Sequence, residues 1–156
     1  MRDGKIIKDR FRSRSGHTLD PKGRLNFPSR FKEVLKHYGS TDLMVTSWGE
    51  CLRVYPVSEW QMVEDKLLSR GREVADLSEF IRYVVSGISE CSLDKQGRLL
   101  IPASLRADAG ITKEVVLNGM LEFVEIWDQD AWRTQFRKTQ KNLPQYGDSL
   151  ARMGIF

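Results

Sequence analysis

The segment TLDPKGRLNFP at 18–28 returns as SLDKQGRLLIP at 92–102. Six positions are identical, at an offset of 74: Leu19/Leu93, Asp20/Asp94, Gly23/Gly97, Arg24/Arg98, Leu25/Leu99 and Pro28/Pro102. A second block, LMVTSWGECLRVYPVSEW (43–60), aligns with VVLNGMLEFVEIWDQDAW (115–132) at an offset of 72 and keeps Glu50/Glu122 and Trp60/Trp132. Two blocks in the same order at nearly constant offset mark a duplicated unit of about 70 residues. Such a chain is confined to folds that build one small unit twice and pack the copies together. The units are placed at 11–72 and 86–143, joined by a connector at 73–85, with a basic extension at 1–10 and a tail at 144–156.

Each unit reads as β-rich α+β. Leu25 and Phe27 alternate with Arg24 and Asn26, the period of a strand. Gly23 supplies the positive φ that a tight reversal needs. Asp20 is short enough to accept hydrogen bonds from the turn's own N–H groups. Pro28 then opens a helix, SRFKEVLKHY, at its first position, and Gly39 is placed to cap it. Pro102, ASLRADA and Gly110 repeat that plan. Two strands follow in each unit, LMVTSW with CLRVYP and EVVLNG with EFVEIW, and a closing helix starts near Ser58 and near Asp130. In the connector, Val74, Leu77, Phe80, Ile81, Val84 and Val85 are spaced for one apolar helix face. Pro144, Gly147 and Gly154 mark 144–156 as a loose tail.

The net charge of +4 is unevenly spread: residues 1–38 hold eleven Lys/Arg against four Asp/Glu, and the remainder is slightly acidic. A concentrated positive field attracts polyanions, although a solvated basic tail gives the same count. No apolar run approaches the ~20 residues of a membrane helix. The first residues lack the apolar core of a secretory signal, so a cytoplasmic protein is expected. Its two cysteines, Cys51 and Cys91, read as free thiols.

Nothing in the chain spells an enzyme. The two histidines, His17 and His37, form no H-E-x-x-H, and no C-x-x-C pair exists, so no metal site is expected. Phosphate-binding glycine loops and the G-x-S-x-G elbow are absent, so neither a cofactor nor a small-molecule substrate is expected. Cys51, in a strand, reads as a buried, inert thiol. Trp48, Trp60, Trp127 and Trp132 read as core or interface aromatics rather than a base-stacking platform. Asp20 and Asp94 might pass for paired catalytic carboxylates, but each has an Arg four residues on, and an Asp–Arg pair bracing a turn explains both copies.

The ordered set of Phe11-Arg12, LDPKGRL, PSRF, the Tyr55–Trp60 segment YPVSEW, and AGITKEVVL resembles the MraZ family of bacterial transcriptional regulators over residues 11 to 143. The resemblance implies two SpoVT-AbrB-like units, of swapped-hairpin β-barrel type, packed as a pseudo-dimer within one chain. It implies a ring-shaped, octamer-like homo-oligomer, associated with the nucleoid. That oligomer binds short G-rich direct repeats in double-stranded DNA upstream of the division and cell-wall gene cluster, and typically represses it, its own gene included. It implies no cofactor and no catalysis. The chain departs from the family in two respects: ten residues precede Phe11, and Ser13 stands where Gly is common. An antitoxin of the same superfold is a rival reading, disfavoured because such chains usually carry a single unit. An oligomerising protein without DNA is another, disfavoured by the basic amino end.

Carried over to this chain, the family pattern makes Arg24 the lead DNA-contacting residue, with Lys22 next. Arginine's fork pairs with guanine O6 and N7. Arg12, Arg14 and Arg30 are assigned to phosphates, and Arg10, which flanks the same turn in sequence, is counted with the DNA-binding residues. Asp20, Gly23, Asp94, Gly97 and Arg98 are assigned to holding the two turns. The second turn, with Lys95 and Gln96, lies in a less basic stretch of sequence and is expected to complete the pseudo-dimer.

Overall fold

The computed structural model of the protein describes residues 4, 6 and 8–156. Residues 1–3, 5 and 7 of the expected basic arm lie outside the described residues. The first half runs β1 (Arg14–Thr18), β2 (Arg24–Asn26), α1 (Ser29–Tyr38), β3 (Asp42–Trp48), β4 (Cys51–Pro56) and α2 (Val57–Arg70). A 3₁₀ turn (Gly71–Glu73) and α3 (Leu77–Phe80), which runs on into a π-helical turn (Ile81–Val85), lead to the second half. That half repeats the order with β5 (Ser89–Ser92), β6 (Arg98–Leu100), α4 (Ala103–Asp108), β7 (Glu114–Gly119), β8 (Val124–Asp128) and α5 (Gln129–Arg152). The fold is α+β, strand-rich, with mostly short helices.

The halves are not two separate sheets. One six-stranded sheet has the order β1-β7-β8-β4-β3-β5, and β2 pairs with β6 in a two-stranded ribbon. The first strand of each half therefore leaves its own half: β1 pairs with β7, and β5 pairs with β3. Across the junctions, equivalent residues face each other, Leu25 opposite Leu99 and Arg53 opposite Glu125. Equivalents meeting at the centre of an antiparallel pair is the mark of a two-fold axis, as in an isologous dimer. Duplication has fused that dimer into one chain.

The exchange is held by a shared core. Leu25, Phe27, Phe31, Leu43, Leu52, Leu99, Ile101, Leu105, Leu117 and Ile126 are almost fully buried in a single cluster drawn from both halves. Phe31 meets Phe11 and Phe27 edge-on, with ring centroids at 5.5 and 5.8 Å. Gly119 lets the chain pass closely there, because a β-carbon would stand 2.6 Å from the Arg12 backbone nitrogen. A smaller cluster of Tyr55, Trp60 and Val84 ties α2 and the connector to the sheet.

Three local expectations change. Pro28 is the residue before α1 rather than its first, with the extended ψ of 139° that a cap adopts, and Pro102 does the same before α4. The connector is not one continuous helix. Asp76, at φ 59°, breaks it; Val84 is buried, but Val74 and Ile81 are exposed. Finally, most of the tail at 144–156 is helical. α5 continues to Arg152 with Pro144 inside it. Asp128 caps α5, its carboxylate accepting the N–H of Asp130. The helix is seated by Trp132, which meets Trp127 of the sheet at 5.9 Å.

Candidate nucleic-acid interface

The repeated motif builds the same turn twice. In the first copy Asp20 Oδ1 accepts the backbone N–H groups of Lys22 and Arg24, both at 2.9 Å. Its Oδ2 accepts Arg24 Nε–H at 2.6 Å. The N–H of Gly23, at φ 87°, donates to the Asp20 carbonyl at 2.9 Å, closing the reversal. In the second copy Asp94 accepts from Gln96 and Arg98 at 2.9 Å each, and from Arg98 Nε at 2.8 Å, with Gly97 at φ 76°. The backbone N–H of Arg24 is the main reason the Asp20 carboxyl lies below its ordinary range, and that of Arg98 does the same for Asp94. The brace between Asp20 and Arg24 read from spacing is present in both copies. It uses only Nε, and the terminal amino groups of Arg24 make no further hydrogen bond among the described residues.

The β2–β6 ribbon joins the two turns. Its register pairs Arg24 with Leu100, Leu25 with Leu99, and Asn26 with Arg98. Side chains alternate along a strand, so Leu25 and Leu99 (1% and 0% exposed) plug the core. Arg24, Asn26, Arg98 and Leu100 share the outer face. Each strand is also tied to the opposite turn, since Phe27 N–H donates to the Gly97 carbonyl at 3.1 Å and Ile101 N–H to the Gly23 carbonyl at 3.0 Å.

Strand exchange brings in basic residues that sequence proximity does not show. The Arg106 guanidinium packs against the Gly23 α-carbon, 2.8 Å from where a β-carbon would stand. Its Nε donates to the Ile101 carbonyl at 3.1 Å. Lys32 occupies the matching place against Gly97. Each turn is thus backed by a cation from the other half's helix. The signal was present in the chain, since Lys32 and Arg106 are equivalents at the repeat offset of 74. Lys32, Lys36 and Lys95 border a hollow of about 790 Å³ beside the second turn, in which Lys36 is paired with Glu33 at 2.8 Å. His17, Asn26, Arg30 and Lys32 border another, of about 500 Å³. Burial, and then the charge of Arg30, lowers the pKa of His17 below its ordinary 6.5.

The residues assigned to DNA do not form one group. Lys22 and Arg24 lie at the first turn, and Arg30 flanks Asn26. Arg10, Arg12 and Arg14 flank that turn in sequence. They precede or begin β1, and the turn follows its other end; five extended residues span roughly 13 Å. Arg14 lies over Trp132 and Phe136 of α5, at 5.4 and 4.9 Å, a cation–π seat away from the turn.

Elsewhere the described residues hold no group of three or more His, Cys, Asp or Glu placed to share a metal ion. Cys51 is buried, and burial, followed by the nearby Glu125 carboxylate, pushes its thiol up to about 12. Of the tryptophans, Trp60 and Trp127 are buried, whereas Trp48 is partly exposed beneath the Arg53 guanidinium at 3.6 Å. No helix is long and apolar enough to cross a membrane among the described residues.

A family model described as "MraZ protein, putative antitoxin-like" matches residues 11–80 and again 84–148. The chain is 37% identical to "Transcriptional regulator MraZ" of Syntrophobacter fumaroxidans, over 95% of this chain and 99% of that protein. The proteins of the same name from Desulforapulum autotrophicum and Moorella thermoacetica are 39% and 42% identical, over 93% and 89% of this chain and 99% and 95% of theirs. With the model matching both halves and relatives aligned over almost their whole length, the chain belongs to the MraZ family.

Proposed function

We propose that the protein is a sequence-specific DNA-binding transcriptional regulator, a repressor that recognises short G-rich direct repeats upstream of the division and cell-wall gene cluster, its own gene included. One observation carries the reading. The outer face of the β2–β6 ribbon carries two arginines, Arg24 and Arg98, each pinned by an aspartate through Nε, between turns backed by Arg106 and Lys32. A two-stranded ribbon fits the major groove, and a pre-oriented guanidinium needs little further ordering to meet guanine O6 and N7. Lys22, Arg30, Lys32 and Lys95 then serve phosphates and set the register. Arg10 and Arg12 reach phosphates only further along the duplex. Arg14 is better explained by its seat on α5.

The strand exchange supports the finer description of the fold as a swapped-hairpin barrel of SpoVT-AbrB type, with the ribbon covering one side of the six-stranded sheet. A reading surface of four side chains spans few base pairs, so specific binding calls for several copies acting on spaced repeats. An octamer-like ring of identical chains, working in the cytoplasm at the nucleoid, would supply them. The outer part of α5 offers apolar contacts for such assembly, with Leu143, Tyr146 and Met153 exposed. Mobility shifts on the DNA upstream of the protein's own gene test the proposal. Arg24→Ala should weaken binding by about 10-fold or more, in line with the loss of one bidentate base contact, with light scattering unchanged. Wild-type affinity for Arg24→Ala would remove the lead role.

A further inference from the structure

The framework of the ribbon is two-fold symmetric, but the side chains it displays are not. Asn26 and Leu100 are equivalents at the repeat offset of 74, and both point outward. Asn26 is exposed, and its amide makes no hydrogen bond among the described residues. Leu100 is 51% exposed on a strand whose inward neighbour Leu99 is fully buried. The surroundings differ in the same sense. His17 and Arg30 beside Asn26 are matched by Cys91 and Ser104 on the Leu100 side. A half-exposed leucine flanked by Arg24 across the ribbon and Arg98 along its own strand does not help the core, and nothing in the fold requires an asparagine at the equivalent position opposite Arg98.

We propose that Asn26 and Leu100 are the specificity residues of the ribbon, Asn26 reading adenine and Leu100 reading the C5-methyl group of thymine. This rests on the DNA-binding reading above. Arg24, Arg98, Lys22, Lys95 and Arg30 place positive charge on and around this face, which selects a polyanion as its occupant. Within the major groove, an asparagine amide matches the adenine N6–H donor and N7 acceptor. An apolar side chain matches the thymine methyl, which no other base carries. The cross-strand pairs are Arg24 beside Leu100 and Arg98 beside Asn26, with β-carbons roughly 5 Å apart. Each arginine therefore has a different partner, and reversing the DNA would exchange them. One chain thus reads a direction, and its box is not a palindrome.

The test is selection from a duplex library with a randomised core, using the full chain and its Asn26→Ala and Leu100→Ala variants. The wild type should enrich an asymmetric motif. Asn26→Ala should lose about 10-fold or more of the preference at one adenine position. Leu100→Ala should lose about 4-fold at one thymine position, the worth of one buried methyl-sized group. Replacing that thymine by uracil, which removes only the methyl, should weaken the wild type equally and leave Leu100→Ala unmoved. Identical motifs for all three proteins, or indifference of the wild type to uracil, overturns the assignment while leaving DNA binding intact. Leu100→Ala changing the mass by light scattering with its motif unaltered also overturns it, and makes Leu100 a contact between copies. If the wild type enriches no motif, and Arg24→Ala retains whatever DNA is bound, the underlying reading fails as well.

Discussion

Ser13 occupies the left-handed region, at φ 79°, at the position where the resemblance places glycine. An L-residue there costs about 1 kcal/mol relative to glycine. Ser13→Gly should therefore raise the melting temperature by about 2–4 °C in a chain of this size, and a fall would show that the Ser13 side chain makes a compensating contact. The turn aspartates set a pH limit. Because the folded pKa values of Asp20 and Asp94 lie below the ordinary 3.8, their contribution is present above that value and is lost as pH falls through the folded pKa. Thermal melts should show the wild type losing stability below about pH 4 more steeply than the Asp20→Asn, Asp94→Asn double variant; parallel curves would refute the linkage. The braced turn was legible in the sequence because all its partners lie within five residues. For Lys32 and Arg106 the repeat shows only that a cation recurs at equivalent positions; their contacts with the turns arise only once the strands have been exchanged.

The β2–β6 ribbon is the joint on which both halves depend, and Leu25 and Leu99 face each other at its centre. Leu99→Ala should cost about 2–5 kcal/mol, as for a fully buried leucine whose cavity cannot collapse; chemical denaturation measures this, and a loss below 1 kcal/mol would place the joint elsewhere. The alternation of Leu25 and Phe27 identified the strand, and the repeat identified its copy. Periodicity cannot say which strand pairs with which, so the exchange had to come from tertiary structure. The helical tail departs from its local sequence signals for a similar reason. Pro144 and two glycines argue for a coil locally, but Trp132 and Phe136 anchor the first turns of α5 on the sheet, and the helix continues past the proline. Removal of residues 143–156 should leave the melting temperature within a few degrees, since none of Leu143, Tyr146 and Met153 is buried. Light scattering should then show smaller particles; an unchanged mass would exclude this end of α5 from assembly.

Considered as one body, the protein is a dimer fused into a chain, and fusion has let its two sides diverge. The linear sequence put the positive charge at the amino end and pointed to the first turn alone. Folding redistributes it: α1 lends Lys32 to the second turn and α4 lends Arg106 to the first. Both turns consequently face outward with basic support, joined by a ribbon whose outer residues are Arg24, Asn26, Arg98 and Leu100. On the proposed DNA-binding reading, several phosphate contacts per copy, multiplied over an assembly, would give a steep dependence on salt. Equilibrium binding by fluorescence anisotropy, on labelled DNA from upstream of the protein's own gene, brings these strands together when wild type and Arg24→Ala are titrated between 50 and 200 mM salt on the order of the range used for such proteins. Wild-type affinity should fall steeply across that range, and Arg24→Ala should be weaker by about 10-fold or more at every point. Affinity that stays flat with salt, or curves for the two proteins that coincide, would contradict the DNA-binding reading.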